Sequence, residues 1–257
     1  MNYSKVKDHI VSWLSDYTEK AFSKGFIVGI SGGVDSALTS TLCALTGKKV
    51  ILLSMPIRQT KAEFDRANEH IKNLENRFGN VSSIETNLTE TFTQFEKTIP
   101  SDVVQNHLSM ANSRSRLRMM TLYAIGQANG CLVAGTGNKV EDFGVGFYTK
   151  YGDGAVDLSP IADLMKTQVW NLAKEVGVVD SIITAKPTDG LFEDERSDED
   201  QIGASYPELE WAMEFNGDVS YLSEREKEVL DIYTKLNRAN QHKMNPIPVC
   251  IIPKELR

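Results

Sequence analysis

The sequence predicts an α/β protein, a doubly wound parallel sheet with helices on both faces. Three observations carry that expectation. Short apolar runs alternate with amphipathic helical stretches along the first 177 residues. The runs FIVGI, KVILLSM and CLVAG are apolar at nearly every position, as strands covered on both faces are. A glycine loop, SGGVDS at 31–36, hands the first run over to a helical stretch. Alternation of this kind folds by crossovers into a parallel sheet. Ligands then gather beyond the carboxyl ends of its strands.

Each element follows from its pattern. Val6, Ile10, Trp13, Leu14, Tyr17 and Ala21 recur at three- and four-residue steps, which predicts an N-terminal helix. FIVGI (26–30) is the first strand, and ALTSTLCAL (37–45) the helix after its loop. KVILLSM (49–55) is the second strand. The stretch 61–78 is helical, with Phe64, Ala67, Ile71, Leu74 and Phe78 on one stripe. VSSIET (81–86) is a weaker third strand. A long helical pattern covers 102–128 and ends at an Asn-Gly pair, and CLVAG (131–135) is a further strand. ADLMKTQVWNLAKEVG (162–177) is helical and stops at Gly177. No repeat, low-complexity tract or linker divides the chain, so one domain over 1–257 is expected. The run DGLFEDERSDED at 189–200 holds seven acids and one base, and reads as a solvated loop or a flap over a site.

Composition narrows the function. The 257 residues carry 28 Lys+Arg against 35 Asp+Glu, a net charge of −7, which argues against broad nucleic-acid binding. An anionic small substrate remains compatible, because a cationic pocket can sit in an acidic protein. No run of about 18 apolar residues exists, so no membrane helix is expected. The N-terminus has no signal-peptide core. Cys43, Cys131 and Cys250 form no CxxC pair, so a reduced, cytoplasmic setting is expected and a structural zinc site is not.

The glycine loop carries the chemistry. Gly32 and Gly33 let the backbone come close to a ligand, and loop amides with a helix N-terminus cradle anions. Ser31 and Ser36 add hydroxyls. Asp35 would repel a phosphate unless it held a metal, and magnesium takes carboxylate and phosphate oxygens together. The loop therefore predicts a magnesium-bound phosphate or pyrophosphate. A plain tight turn with Asp35 as helix cap is the bland alternative. GxSxG also matches Gly29 to Gly33, the nucleophile elbow of hydrolases, with His242 late in the chain. That reading finds no oxyanion segment and leaves Asp35 without a task. A Walker A string is absent.

SGGVDSAL resembles the pyrophosphate loop of the N-type ATP pyrophosphatases, enzymes that split ATP between its α and β phosphates to adenylate a substrate. The segment GTGNKVEDFGVGFYTKYGDGAVDLSPIADLMKTQVWNLA (135–173) is similar to the NAD synthetase signature within that group. NSRSRLRM (112–119), PTDGL (187–191) and HK (242–243) match further motifs of that family in order. Two departures stand out. Ala155 replaces a usual glycine in YGDGAVD, and FGVGFYTK has one more residue before its TK than some relatives.

The resemblance implies an adenine-nucleotide alpha-hydrolase-like, Rossmann-like fold and an ammonia-dependent ligase. In it, Gly29, Ile30, Ser31, Gly32, Gly33, Val34, Asp35 and Ser36 bind ATP phosphates, joined by Thr136, Lys166 and Thr188. Asp35 and Glu141 hold Mg²⁺. Asp35 and Lys166 do the catalytic work. Arg116, Lys150, Asp157, His242 and Lys243 hold deamido-NAD. The implied reaction adenylates the nicotinate carboxylate, and ammonia then displaces AMP to give NAD. The implied partners are ATP, deamido-NAD, ammonia and a second copy of the chain in a homodimer.

Residue chemistry supports parts of this picture. Glu141 is a second carboxylate for a shared magnesium. Lys150 and Asp157 flank a glycine-rich turn and are expected to point into one pocket. Arg116 and Arg118, two apart on a helix, face different ways, so one is expected to bind an anion and the other to pack or pair. Lys166 alone would be a solvated charge, and His242 alone a surface or core histidine. His9, His70 and His107 read as structural, Trp13, Trp170 and Trp211 as core or interface aromatics, and Cys43 as a small buried hydrophobe. A glutamine-using enzyme needs a second catalytic module. About 25 residues precede the first strand, too few for one, so no glutaminase domain and free ammonia are expected. Another ATP pyrophosphatase ligase and a non-enzymatic nucleotide sensor are the competing readings.

Overall fold

The computed structural model describes residues 1–185 and 197–257. Four parallel strands form its sheet: β1 (Gly25–Gly29), β2 (Lys49–Ser54), β3 (Val81–Glu85) and β4 (Cys131–Val133), in the order β3-β2-β1-β4. A parallel bridge from Ala134 to Leu158 extends the β4 edge. The chain order therefore reverses between β1 and β4, which opens a crevice at their carboxyl ends.

Alternation along the strands sorts the core. Phe26 and Val28 of β1 and Val50 and Leu52 of β2 face one apolar cluster. It is covered by α1 (Tyr3–Lys20), α2 (Val34–Leu45), α3 (Lys61–Arg77) and α7 (Lys166–Glu175). Ile27, Ile51 and Leu53 face the opposite cluster, under α4 (Thr89–Thr98) and α6 (His107–Asn129). This is the doubly wound arrangement expected, since strands buried on both sides need helices on both sides. A Cβ on Gly126 of α6 would lie 2.8 Å from Ile27, so that close crossing of helix over sheet requires glycine.

Helix boundaries follow their caps. Asn2, Thr60 and Asn106 accept the backbone N–H three residues on, at Lys5, Glu63 and Ser109. The helix expected over 102–128 is divided. A short α5 (Ser101–Val104) ends, and Asn106 caps the start of α6, which stops at left-handed Gly130. Met110 and Met119 are buried, whereas Met120 and Leu108 are exposed. The helix expected from 162 begins only at Lys166. The Leu164 carbonyl accepts from Lys139 N at 2.9 Å, so that backbone serves the sheet-end loops instead.

The pattern reading assigned no element to α4, nor to α8 (Asp180–Ile183), α9 (Asp198–Ile202), α10 (Tyr206–Glu214) and α11 (Glu224–Met244). The last two pack with the 140–145 segment around a third apolar cluster that includes Val140, Val145, Tyr206, Leu209 and Val229. Of the acidic run, 189–196 lies outside the described residues. Residues 197–200 are not a solvated loop: Ser197 and Asp200 form a capping box for α9, and Asp198 is buried.

Both departures in the signature segment are accommodated. Val140–Val145 is a π-helical turn, ended by left-handed Gly146. A π-turn takes up one residue more than the α-helical path, so the longer FGVGFYTK needs no looped-out residue. Ala155 does not adopt positive φ, so the lost glycine imposes no strain there.

Candidate active site

The crevice predicted by the strand order is a cavity of about 560 Å³. The whole loop from Gly29 to Ser36 lines it, together with Thr136, Glu141, Lys166 and Lys243. Gly32 has φ +88°, and a Cβ there would lie 2.6 Å from the Glu63 carbonyl oxygen. Only glycine lets the loop lie this close to α3. The Ser36 hydroxyl donates to Gly33 O at 3.0 Å and accepts from Ser31 N at 3.3 Å, which folds the loop onto itself. Gly33 is the N-cap of α2, so the positive end of that helix faces the loop. Asp35 lies inside the helix and is not its cap.

Lys166 ties three distant segments together. Its Nζ donates to Asp35 Oδ2 at 2.6 Å and to Glu141 Oε1 at 2.9 Å. Asn138 holds the remaining Asp35 oxygen, donating to Oδ1 at 3.1 Å. The Asn138 side-chain oxygen also accepts from the backbone N–H of Val140 and Glu141, both at 3.1 Å, and so shapes the turn that presents Glu141. Tyr206 donates to Glu141 Oε1 at 2.5 Å.

The charges respond as expected. Burial disfavours the Lys166 ammonium, but Asp35 and Glu141 outweigh it and raise its pKa. Burial lifts the Asp35 carboxyl above its ordinary value against the pull of Lys166. Burial also acts against Glu141, yet Lys166 and the Tyr206 hydroxyl bring it below its ordinary value. Asp142, beside it, is pushed up to about 8 by burial and by the neighbouring acids Glu141 and Asp153.

The expected substrate residues do not all meet. Lys150 and Asp157 do not share a pocket. Lys150 Nζ donates to the His242 carbonyl oxygen. The Asp157 carboxylate sits at the sheet edge, accepting from Val133 N at 2.8 Å and from the Tyr123 hydroxyl at 3.1 Å. Arg116 donates to Lys150 O and is exposed, while Arg118 lines the cavity and donates to Met55 O at 3.1 Å. Of the arginine pair, the cavity receives the second. His242 is exposed, with Nδ1 3.1 Å from Ala239 O, and does not share the cavity with Ser31, which leaves the hydrolase reading without its base. Lys243 donates to Gly146 O and Tyr148 O, pinning α11 to the signature segment. Thr188 lies outside the described residues.

Sequence reasoning passed over Asn138, Tyr206, Gln59 and Arg66. Asn138 sits in the quoted GTGN motif, and its side chain was a readable signal. Gln59 Nε2 donates to Ser31 O at 3.1 Å, and Arg66 Nε to Gly32 O at 3.5 Å. No local pattern marks Gln59, Arg66 or Tyr206, because tertiary packing brings the first two to the loop and the third to Glu141 and Lys166.

Comparison with known proteins identifies the family and the fold. The family model described as NAD synthase matches residues 6–247. The NH(3)-dependent NAD(+) synthetase of Mycoplasma genitalium is 38% identical over 246 residues, 95% of this chain and 94% of that one. The structure of NMN synthetase from Francisella tularensis superposes with a TM-score of 0.86 at 27% identity, covering 99% of both chains. NH3-dependent NAD synthetase from Campylobacter jejuni shares the fold, with a TM-score of 0.78 at 24% identity over 98% of this chain and 100% of that one.

Proposed function

The chain belongs to the NAD synthase family, and on that premise we propose that its cavity joins ammonia to the nicotinate carboxylate of deamido-NAD through an adenylate. The chain is an ATP-using, carbon–nitrogen bond-forming ligase, acting at the last step of NAD biosynthesis. The observation that carries the site assignment is the meeting of Asp35, Glu141 and Lys166 beside the Ser31–Ser36 loop.

Two carboxylates that already share one ammonium offer the hard oxygens magnesium requires. Among the described residues no cluster of three or more His, Cys, Asp or Glu forms a metal cage. Magnesium does not need one, since one or two carboxylates with phosphate oxygens suffice. Asp35 and Glu141 would hold it. When bound, it would neutralise phosphate charge.

A carboxylate resists attack by ammonia because its leaving group would be an oxide ion. In the first step a carboxylate oxygen attacks the α-phosphorus of ATP, and the bond to the β-phosphate oxygen breaks. Negative charge gathers on the departing pyrophosphate, where the loop amides, the α2 N-terminus and Lys166 supply fixed positive charge. In the second step the ammonia nitrogen attacks the acyl carbon, loses a proton, and AMP leaves with the C–O electron pair. No protein nucleophile is needed, and the remaining work is positioning two anionic substrates.

Arg116 and His242 are exposed outside the cavity of the single chain. A homodimer would allow a second copy to complete the deamido-NAD site over them. This part of the proposal also covers the roles of Lys150, Asp157, Lys243 and Thr188. No helix among the described residues is long and apolar enough to cross a membrane, and we assign the chain to the cytoplasm as part of the same proposal.

The test is AMP release with ATP, Mg²⁺, ammonium and deamido-NAD, each omitted in turn. AMP and NAD formed only in the full mixture support the reading. The likeness to the Francisella NMN synthetase makes nicotinate mononucleotide the informative alternative acceptor. Faster turnover on it would move the acceptor while keeping the chemistry, and no AMP under any condition would overturn the reading.

A further inference from the structure

Tyr206 has no place in the motifs, yet it touches two of the three charged groups at the centre of the site. It opens α10 and is wholly buried. Its hydroxyl donates to Glu141 Oε1, the same oxygen that accepts from Lys166. Its ring centroid lies 4.8 Å from Lys166 Nζ, within cation–π range. Trp170, one turn after Lys166 on α7, packs edge-on against that ring at 5.9 Å. The Tyr206 backbone N–H is fixed too, donating to Glu199 Oε1 at 2.8 Å.

The phenol is therefore held at its ring and its backbone, and its proton has little freedom of direction. A phenol has one proton to give. Glu141 is 2.5 Å away, whereas Asp198 Oδ2 is 3.3 Å away. The short, charge-assisted bond takes the proton. A side chain that only filled the third apolar cluster would not need the hydroxyl, because a buried hydroxyl is costly unless bonded. Here it is spent on the carboxylate that faces the phosphate loop.

We infer that Tyr206 is a positioning residue for the ligase reaction: its hydroxyl sets the direction of the Glu141 carboxylate, and its ring holds Lys166 between Glu141 and Asp35. The inference rests on the reading that Asp35 and Glu141 receive magnesium. Residues that orient metal ligands typically control affinity by 10- to 100-fold.

The decisive comparison sets wild type beside Tyr206→Phe and Glu141→Gln. Binding of Mn²⁺ would be followed by electron paramagnetic resonance with ATP present, alongside the Mg²⁺ dependence of AMP formation and the melting temperature. Tyr206→Phe keeps the ring and its packing. It should weaken Mn²⁺ binding roughly tenfold, raise the Mg²⁺ needed for half-maximal rate in parallel, and recover rate at high Mg²⁺. Loss of melting temperature with Mn²⁺ binding unchanged would reduce Tyr206 to a core residue and overturn the inference. If Glu141→Gln also binds Mn²⁺ like wild type, the metal reading itself fails. A second probe does not depend on how Tyr206→Phe folds. With 3-fluorotyrosine at 206, Glu141→Gln should shift its fluorine resonance, and an unmoved signal would count against the contact.

Discussion

Lys166 Nζ lies 2.6 Å from Asp35 Oδ2, although 131 positions separate the two residues in the chain. The pair is almost closed to solvent on the lysine side, with side-chain exposures of 3% and 17%. Such a pair contributes little net stability when whole, but removing one partner is costly. Lys166→Met leaves Asp35 and Glu141 facing each other without a cation. It should destabilise the fold by about 3–5 kcal/mol and lower turnover by at least about 100-fold. Thermal unfolding with and without Mg²⁺ and ATP checks both parts, since an added divalent ion should restore some of the lost stability.

Asp35→Asn should abolish turnover while leaving the fold intact. The amide still accepts from Lys166 but no longer offers a charged oxygen to a metal. Steady-state AMP formation and circular dichroism together decide it. A near-normal rate would remove Asp35 from the metal site.

Gly32→Ala tests the loop. The new Cβ would meet the Glu63 carbonyl at 2.6 Å in a backbone at φ +88°. Strain at such positions costs on the order of 1–3 kcal/mol. The variant should melt lower, and its KM for ATP should rise because the loop must shift from α3. An unchanged KM would mean that the loop amides are not the phosphate contact.

His70 supplies a pH test away from the site. It is fully buried on α3, with Nε2 2.9 Å from Ser40 Oγ. Burial, with Arg77 nearby, lowers its pKa from 6.5 to about 4. Between those values the unfolded chain takes up a proton and the folded chain does not. The neutral histidine thus contributes stability that is fully present above about pH 6.5 and lost as pH falls toward about 4. The linked difference is about 3 kcal/mol. His70→Gln should flatten the stability profile across that window relative to wild type, measured by urea unfolding from pH 4 to 7.

Much of the architecture was legible because it rests on local patterns. The apolar runs became β1 and β2 to within one residue at either end, and CLVAG shortened to the three-residue β4, since strands covered on both faces leave an unbroken apolar string. The loop at 31–36 was readable because glycines and a helix start mark a phosphate cradle in sequence alone. The C-terminal helices were not assigned in advance, although α11 carries a Ser223–Glu226 capping box. Its apolar face is sparse, and Val229 is its buried residue.

The candidate site divides along the same line. The sequence by itself determined the doubly wound class and the glycine loop with Asp35, because those patterns are local, while Glu141 and Lys166 were singled out by the resemblance of their motifs to a known family. Tertiary structure alone decided that one ammonium bridges both carboxylates, that Tyr206 holds Glu141, and that Asp157 sits at the sheet edge. It also decided that Arg118, rather than Arg116, lines the cavity. These outcomes depend on distances between segments far apart in the chain. Such distances are set by how helices pack across the sheet, and neither periodicity nor spacing encodes them.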